Sequence, residues 1–336
     1  MSQKNILKAV TEVREVCTQA LVKAGVPKAN AYLQADLLLD AEMKGHVSHG
    51  LLRLPRLIRR IHNGVADPVA QGKGMWRGEA TLFVDGSTGL GPVVAIHAIE
   101  QLVAKTETTG VAVGAVQNCN HLGMLAWYAE QVAMQGMVFI GLTISEALVH
   151  PWGGRRAMLG TNPIAIGVPA EPTPFVLDLA TSEVSMGKIH DYANRKEPIP
   201  DGWALDKDGE PTTEAHKALD GALTPFGGAK GYGLGLGFEV LVASLTGCAI
   251  GTDVVGTLDD ISICNKGDVF IVLRPAPGAL SAISGYLAGL RESTPAMADS
   301  PVLVPGDRAD AARQHSLANG LSIDAGVWKQ IQALLH

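Results

Sequence analysis

A histidine and an arginine four residues apart form the first group in the sequence that suits chemistry on a carboxylic acid. The segment GHVSHGLLRLPR places Ser48, His49 and Arg53 shortly after Gly45, a residue type that ends helices. An imidazole exchanges protons near neutral pH, and a guanidinium binds a carboxylate through two hydrogen bonds. The trio is therefore a candidate site for proton transfer to a carbonyl beside a carboxylate. The alternative is that His49 is an ordinary hydrogen-bonded histidine at a helix end.

His46 and His49 lie three residues apart, a spacing that also occurs in metal pairs. No glutamate or third histidine follows at the spacing of a zinc motif. The four cysteines are far apart in the chain and form no C-x-x-C pair. We therefore expect no metal site and no disulfide framework, with the cysteines as buried thiols.

Three further polar groups adjoin short apolar runs. QNCNHLG directly follows the run VAVGAV, LGTNP directly precedes IAIGV, and FVLDLATS ends its own apolar run. Open α/β sheets bind ligands at strand ends, and a carboxylate inside an apolar strand needs a partner or a function. The candidate residues in these groups are Asn118, Asn120, His121, Thr161, Asn162, Asp178, Thr181 and Ser182.

The glycine-rich stretch GGAKGYGLGLGFE, residues 227–239, suggests a phosphate-binding loop. A dinucleotide fingerprint requires a strand before G-x-G-x-x-G, whereas a Pro/Gly loop precedes Gly233, Gly235 and Gly237 here. Glycine weakens a helix by up to about 1 kcal/mol, so we expect these three to pack closely against another backbone. Lys230 lies at the predicted helix start, where a cation can bind a phosphate or carboxylate. The alternative for Lys230 is a solvated lysine.

The composition is that of a globular protein without a nucleic-acid footprint. The chain has 336 residues, of which 47% are hydrophobic and 18% charged, with a formal net charge of −6. This length suggests about two domains, and the absence of Lys/Arg-rich runs argues against binding to nucleic acid or an anionic membrane. The first residues lack the apolar region of a signal peptide, and no segment suits a membrane span. We expect a cytoplasmic protein.

Helical patterns occupy both ends of the chain. Apolar residues recur at helical spacing from Ile6 to Leu21, and NAYLQADLLLDAEMKG forms a second amphipathic segment. Near the C-terminus, DRADAARQHSLANG and SIDAGVWKQIQALL are also helical, the second with Ser322 or Asp324 as its N-cap. We expect residues 1–75 and 287–336 to pack together as one helical domain.

The middle of the chain, residues 76–286, has the pattern of an α/β domain. Six short runs indicate strands: TLFVD, VAVGAV, MVFIGLTI, IAIGV, FVLDLA and VFIVL. Several are apolar throughout, which predicts a sheet covered on both faces by helices. The candidate helices are Pro92–Lys105, Leu122–Gln135 and Lys230–Leu245.

Seven motifs occur in the order found in the malate/L-lactate dehydrogenase family: SHGLLRLPR, NCNHLG, HPWGG, GTNPIAIGVP, FVLDLATS, IPDGWALDKDGEPTT and GGAKGYGL. The resemblance covers most of the chain, from about residue 6 to VPGDR and beyond. This family is distinct from the Rossmann lactate and malate dehydrogenases. It includes ureidoglycolate, sulfolactate and diketogulonate oxidoreductases and a piperideine-carboxylate reductase. The resemblance implies an α/β fold in which a non-Rossmann NAD(P)-binding domain has a mixed sheet.

The resemblance also implies a homodimer with the cofactor site near the subunit interface, and roles for particular residues. His49 matches a proton donor of some members, His121 a proton acceptor of others, and Arg53 a carboxylate-binding arginine. The choice between the two histidines stays open. Further candidates for substrate contact are Ser48, Thr161 and Asn162. The positions that match cofactor contacts are Ser145, Asp178, Leu179, Ala180, Thr181, Lys230, Gly306, Asp307 and Arg308.

The predicted reaction is hydride transfer between NAD(P)H and C2 of a small 2-oxo or 2-hydroxy acid of the malate, lactate or sulfolactate type. During reduction, charge builds on the carbonyl oxygen, so an imidazolium donates a proton while Arg53 holds the carboxylate. One alternative is a reductase of a cyclic imine carboxylate, which depends less on His49. The other is a non-catalytic dimeric binding protein that keeps the fold.

Residues 306–308 bear on the choice of cofactor. Asp307 suits a ribose 2′-hydroxyl, as in NAD sites, whereas Arg308 suits the 2′-phosphate of NADP. Because Arg308 adds a cation that NAD does not need, the sequence slightly favours NADP(H) over NAD(H).

Overall fold

The computed structural model describes residues 5–297 and 299–336. The helices are α1 (Val10–Lys23), α2 (Lys28–Met43), α3 (Leu54–His62), α4 (Gly91–Thr109), α5 (Leu125–Met134), α6 (Met186–Arg195), α7 (Ala215–Ala218), α8 (Ala229–Thr246), α9 (Ala279–Arg291), α10 (Asp307–Asn319) and α11 (Ala325–Ala333). The strands are β1 (Asn5–Lys8), β2 (Lys73–Trp76), β3 (Thr81–Asp85), β4 (Val111–Gln117), β5 (Val138–Thr143), β6 (Ile164–Val168), β7 (Phe175–Leu179), β8 (Ala204–Leu205), β9 (Pro211–Thr212), β10 (Ala222–Leu223), β11 (Gly267–Leu273) and β12 (Leu321–Asp324).

Seven strands form a large sheet in the order β2-β3-β4-β11-β5-β6-β7. Only β3 and β4 are parallel neighbours; every other neighbouring pair in this sheet is antiparallel. A Rossmann sheet is mostly parallel, so the mixed sheet confirms the predicted non-Rossmann α/β class. All six predicted strands lie in this sheet. The sequence did not reveal β2, an exposed edge strand without an apolar run.

Helices cover both faces of the large sheet, as the apolar runs predicted. Along β11, Phe270 and Val272 belong to the core that α2, α4 and α5 share. Val269 and Ile271 instead pack with Val242 of α8. Successive side chains of a strand point to opposite faces, so the run from Val269 to Val272 is apolar on both faces. The three predicted helices are confirmed as α4, α5 and α8, to within four residues at each end.

The glycines of α8 divide between its two faces. A Cβ on Gly235 would lie 2.7 Å from Thr181 Oγ1, so this glycine is closely packed as predicted, although its neighbour is a side chain and not another backbone. The same prediction is wrong within this chain for Gly233 and Gly237, where a Cβ would meet no atom within 4 Å. Although α8 is strongly apolar, no helix in the described ranges is long and apolar enough to cross a membrane.

The two ends of the chain meet, because β1 and β12 pair antiparallel and α1 contacts α11. Helix α10 packs on α2, where Lys44 forms ion pairs with Asp40 and with Glu130 of α5. Arg313 of α10 pairs with the same two carboxylates. The division into two domains stays a prediction, and its second boundary falls within α9.

The N-terminal helix begins later than predicted, and the structure decides between the two N-caps offered for the C-terminal helix. The helical pattern that begins at Ile6 is wrong there: Ile6 lies in β1, and the helix starts at Val10. A strand of four residues is too short to establish its own period beside a helix. Ser322 likewise lies in β12. Asp324 is confirmed as the N-cap, since its Oδ1 accepts a hydrogen bond from the Val327 N–H at 2.9 Å.

The polar groups of the sequence converge at one end of the large sheet. Strands β4, β5 and β7 end where β6 and β11 begin, which follows from the pairs Gln117 with Gly267, Thr143 with Asp268, and Leu179 with Ile164. Segments that adjoin these strand ends therefore meet, although they are distant in sequence. We call this place the polar end of the sheet; it carries residues 118–121, 145–146, 161–162, 180–182 and 266.

Candidate active site

Two short 3₁₀ turns place the predicted trio between α2 and α3. The turns span Val47–His49 and Leu51–Arg53. Arg53 Nε donates a hydrogen bond to the Ser48 carbonyl oxygen at 2.7 Å, and Ser48 Oγ lies 3.1 Å from Nδ1 of His49. A hydroxyl can donate or accept, so Ser48 is compatible with either protonation state of His49.

A glutamate of α2 supports these turns. Glu42 accepts a hydrogen bond from the Leu51 N–H at 3.0 Å, and a Cβ on Gly50 would collide with the Glu42 carboxylate. Because Gly50 has no side chain, the carboxylate packs directly against the turn. Burial raises the pKa of Glu42 to about 7, while the bond from Leu51 acts in the opposite direction.

His121 reaches the same place from the polar end of the sheet. Its Nδ1 accepts a hydrogen bond from the Gly123 N–H at 2.9 Å. A Cβ on Gly91 would collide with the His121 carbonyl oxygen, so the start of α4 packs directly on this loop. A backbone N–H can only donate, so Nδ1 is unprotonated and the neutral ring carries its proton on Nε2.

Both residues before this histidine are anchored. Asn120 is buried, and its side-chain oxygen accepts a hydrogen bond from Arg60 Nε at 2.9 Å. Cys119 Sγ donates to Asp268 Oδ2 at 3.0 Å, and the buried Asp268 carboxylate also accepts from Lys266. These contacts fix the loop from α3 and from β11, so the position of the imidazole does not depend on its own contacts alone.

His49 and His121 line one cavity, with ring centroids 5.6 Å apart and planes inclined by 30°. The cavity has a volume of about 40 Å³, which by this measure holds roughly three water molecules and suits a small ligand. Its lining contains cationic, neutral polar and aliphatic side chains but no carboxylate. The lining residues are Gln34, Leu37, Leu38, His49, Arg53, Arg56, Leu57, Arg60, Asn120, His121, Gly123, Gly256 and Thr257.

The charges in this cavity act on the two imidazoles. Burial, followed by the charges of Arg53 and His46, lowers the pKa of His49 to about 3. Burial, followed by the charge of Arg53, holds the pKa of His121 well below its ordinary value. Both rings are therefore neutral near pH 7 before a ligand binds. An anion that neutralises Arg53 removes one of these causes and raises the pKa of both rings.

A second group of candidates lies together at the polar end of the sheet. Thr181 donates both its N–H, at 2.8 Å, and its hydroxyl, at 2.9 Å, to the Thr161 carbonyl oxygen. The Thr161 N–H donates to Ser145 Oγ at 3.0 Å. The Phe226 N–H donates to the Thr181 carbonyl oxygen at 3.1 Å, which brings the loop before α8 to the same place. Ser145, Thr161 and Thr181 thus form one polar cluster.

Glu146 connects this polar cluster with the cavity. Its Oε1 accepts hydrogen bonds from the Thr257 N–H at 2.7 Å, the Thr257 hydroxyl at 3.1 Å and the Leu258 N–H at 2.8 Å. Gly256 and Thr257 line the cavity, whereas Ser145 precedes Glu146 in the chain. One carboxylate therefore fixes the cavity wall relative to the neighbouring polar cluster.

The remaining predicted cofactor residues are spread along β7 and two helix starts. Asp178 Oδ2 accepts from the Ala126 N–H at 2.7 Å at the start of α5, and burial raises the pKa of Asp178 to about 6. Leu179 ends β7 and Ala180 follows it. Lys230 is exposed in the first turn of α8. Gly306 precedes α10 and lies beside β7, since a Cβ on it would be 3.3 Å from the Val176 carbonyl oxygen.

Asn162 is fully buried and does not line the cavity. Its Nδ2 donates to Glu239 Oε2 at 2.7 Å and to the Gly235 carbonyl oxygen at 3.1 Å. These contacts join the turn before β6 to α8. A role in substrate binding stays a prediction for Asn162.

The cysteines lie apart from the reactive groups, with Cys17, Cys119 and Cys264 buried and Cys248 partly exposed. The prediction of buried thiols is confirmed for the first three. Within the described ranges, no group of three or more His, Cys, Asp or Glu side chains is placed to hold a metal ion.

Sequence reasoning did not identify Arg56, Arg60, Glu42 or Glu146 as parts of this site. The two arginines follow Arg53 by three and seven positions, a spacing that puts all three on one side of a helix, so this signal was present in the sequence. The two glutamates act through backbone N–H groups of distant turns, a kind of contact that leaves no spacing pattern.

Comparison with known proteins identifies the family. The sequence model described as malate/L-lactate dehydrogenase matches residues 9–332. The chain belongs to this family. L-sulfolactate dehydrogenase of Methanocaldococcus jannaschii is 37% identical over 336 residues, which cover 98% of this chain and 96% of that protein. Δ1-pyrroline-2-carboxylate reductase of Ancylobacter novellus is 32% identical over 329 residues, with 97% and 96% covered.

Solved structures agree with this assignment. A dehydrogenase from Sinorhizobium meliloti superposes with a TM-score of 0.96 at 48% identity and covers 99% of both chains. Together with the family match, this likeness confirms the resemblance seen in the sequence motifs and the fold that it implied.

The raised pKa of Glu42 predicts a pH-dependent stability. The folded-state pKa lies above that of the unfolded chain, so the stability that Glu42 contributes is lost as pH rises toward about 7. Glu42→Gln keeps the acceptor for the Leu51 N–H without the charge. We expect the melting temperature of this variant, relative to that of the wild type, to increase as pH rises from about 5 to about 8. Thermal unfolding at several pH values measures this difference in melting temperature, with Glu15→Gln on the exposed side of α1 as the control. If the difference in melting temperature between Glu42→Gln and the wild type did not change with pH, the predicted role of Glu42 ionisation would be wrong.

Proposed function

We propose that this protein catalyses hydride transfer between a nicotinamide dinucleotide and C2 of a small 2-oxo or 2-hydroxy carboxylic acid. The observation that carries the proposal is the pair of facing imidazoles beside Arg53, in a small cavity without carboxylates. Such a cavity attracts an anionic acid and supplies both a hydrogen-bond donor and a proton carrier to its carbonyl. Loss of NADPH or NADH absorbance with small 2-oxo acids tests the proposal, and no turnover with any of them would overturn it.

The two histidines are suited to different tasks. Protonating Nδ1 of His121 would set two donors against each other, because the Gly123 N–H already points at that atom. Neutral His121 therefore orients the carbonyl oxygen through its Nε2–H. His49 has Ser48 Oγ as its neighbour, which adapts to either protonation state. We accordingly assign the proton transfer to His49.

Arg53 couples substrate binding to this proton transfer. When the substrate carboxylate pairs with Arg53, the charge that lowers the pKa of His49 is offset. His49 then takes up a proton more readily and can deliver it to the C2 oxygen as hydride arrives. The dinucleotide would supply that hydride from its nicotinamide ring.

The donor set around β7 fits a dinucleotide. The hydroxyl groups of the polar cluster suit a ribose, and the starts of α8 and α10, with Lys230 and Arg308, suit phosphate groups. Val176, beside Gly306, and Thr181 are five residues apart, about 16 Å of extended chain, a span that a dinucleotide can bridge. These positions support a cofactor site that runs along β7.

The surroundings of Asp307 support NADP(H) over NAD(H). Arg291 binds this carboxylate through two hydrogen bonds, Nε to Oδ2 at 3.0 Å and Nη2 to Oδ1 at 2.8 Å, and the Val304 N–H also donates to Oδ2. A carboxylate engaged in this way is a poor acceptor for ribose hydroxyls. Arg308 is exposed beside it at the start of α10.

An assembly of two copies is supported by the outer face of α8. This face carries Gly233, Gly237 and the exposed residues Leu234, Val240, Leu241 and Leu245. A contiguous apolar face of this kind is typical of a protein interface. Lys230 lies in the first turn of the same helix, next to the loop that reaches Thr181, so we infer a homodimer with its interface close to the cofactor site. Cytoplasmic location stays a prediction.

Replacement of the histidines separates their roles. For His49→Gln we expect the turnover number to fall by about 10²–10⁴-fold and the pH dependence of reduction to disappear. In the wild type, reduction slows as pH rises through the pKa of His49 in the substrate complex. His121→Gln loses one hydrogen bond to the substrate, so we expect its turnover number to fall by about 10–100-fold. This variant should keep the pH dependence of the wild type. Turnover against pH measures both variants, and the reverse pattern would assign proton transfer to His121.

Replacement of Arg308 tests the cofactor preference. We expect Arg308→Gln to raise the dissociation constant for NADPH by about 10–100-fold and to leave that for NADH nearly unchanged. Fluorescence titration of the reduced cofactors measures both constants. Lys329→Gln, which removes an exposed cation from α11, is the control. Equal weakening for the two cofactors would place Arg308 elsewhere than at a 2′-phosphate.

A charge on the outer face of α8 tests the dimer. We expect light scattering to give twice the chain mass for the wild type and one chain mass for Leu241→Arg, because a buried unpaired arginine disrupts an apolar interface. Gln330→Arg on the exposed side of α11 should remain dimeric. A monomeric wild type would refute the inference.

A further inference from the structure

Three arginines in or next to α3 line the cavity: Arg53 is the N-cap residue of α3, and Arg56 and Arg60 lie within this helix. Arg53, Arg56 and Arg60 are spaced by three and four residues, and all three belong to the cavity lining. Residues with this spacing lie on the same side of a helix. Arg59 lies between them in sequence but points away, and its exposed side chain pairs with Asp260.

The three arginines differ in what they bind. Arg60 is buried and occupied: it donates to Asn120 and to the carbonyl oxygens of Asp259 and Ser262. Arg53 uses its Nε for the Ser48 carbonyl oxygen, which leaves its terminal nitrogens for a ligand. Arg56 is partly buried and makes neither a hydrogen bond nor an ion pair with any other described residue.

An unpaired guanidinium at the wall of a partly apolar cavity is unfavourable unless an anion joins it. The second guanidinium nearby makes the cost larger: burial and the charge of Arg56 together lower the pKa of Arg53 to about 10. No carboxylate belongs to the cavity lining, and Asp260, a carboxylate outside it that interacts with the charge of Arg56, is already paired with Arg59. A ligand with one negative charge can neutralise one of these two arginines and leaves the other unpaired.

We propose that Arg56 binds a second acidic group of the substrate, so that the enzyme prefers dianionic 2-oxo and 2-hydroxy acids with a carboxylate or sulfonate on C3. Arg53 then holds the C1 carboxylate. This inference rests on the proposed function. Side chains three apart on a helix start about 5–6 Å from each other, so two flexible arginines can hold the two ends of a three- or four-carbon acid.

The same arrangement disfavours a cyclic imine carboxylate. Reduction of an imine proceeds through its protonated form, which places a positive charge at the reacting nitrogen. A cavity with two incompletely paired guanidinium groups and no carboxylate raises the free energy of such a cation. The charges near Arg56 therefore favour the oxo acid over the imine among the two reactions that the sequence left open.

The test compares substrates that differ only in the second charge. Oxaloacetate and sulfopyruvate carry it, whereas 2-oxobutyrate has a methyl group in its place. We expect wild-type enzyme to have a higher kcat/KM for the two dianions. Arg56→Gln should lower this value by about 10–100-fold for the dianions, mainly through KM, and by less than about 3-fold for 2-oxobutyrate. Arg56→Lys should restore part of the loss, because it keeps the charge but not the two-pronged geometry.

Two controls keep the outcomes distinct. Arg59→Gln removes a cation from the same helix outside the cavity and should leave the substrate preference unchanged. Calorimetric dissociation constants for oxaloacetate and 2-oxobutyrate report the role of Arg56 even without turnover. If none of the substrates is reduced, the proposed function is wrong. Equal losses for dianion and monoanion in Arg56→Gln, absence of a dianion preference in the wild type, or a change of oligomeric state in this variant would overturn the inference about Arg56.

Discussion

The arrangement depends on one constraint, the register of the strands around β11. Because β11 runs antiparallel to both β4 and β5, its polar start meets the polar ends of both strands. The antiparallel pairing of β6 with β7 brings two further polar segments to the same end. A parallel Rossmann sheet achieves such convergence with strands of one direction. Here alternating strand directions produce it, and a shift of register would separate His121 from the polar cluster around Thr161.

Charge at the cavity connects binding with chemistry. Burial and the charge of Arg53 lower the pKa of both imidazoles, so the cavity is positively charged through its arginines and not through the histidines. In the proposed reaction, binding of an acid would offset the charge of Arg53 and make protonation of His49 easier when a proton is needed. Contacts from Glu42, Glu146 and Asn120 keep these groups in place, which limits the reorganisation that accompanies the reaction.

Much of the fold could be predicted from the sequence, because the central strands are apolar on both faces and the long helices have clear periodicity. The edge strand β2 and the short β1 lack such patterns, since half-exposed strands of four residues carry little hydrophobic signal. Within the site, His49, Arg53 and His121 were identified by residue type and by family motifs. The helical spacing of Arg56 from Arg53 is visible in the sequence, but only the fold shows that Arg56 lines the cavity. Glu42 and Glu146 bind backbone groups of distant turns, and only the folded chain shows those contacts.

The most direct measurement follows the hydride itself. The enzyme is supplied with NADPH or NADH that carries deuterium at the transferring position of C4, together with oxaloacetate in ordinary water, and the product is analysed by mass spectrometry and NMR. Direct hydride transfer predicts a hydroxy acid with one deuterium, located at C2. Oxidation of the cofactor without deuterium at C2, or no oxidation with any small 2-oxo acid, would contradict direct hydride transfer in this cavity.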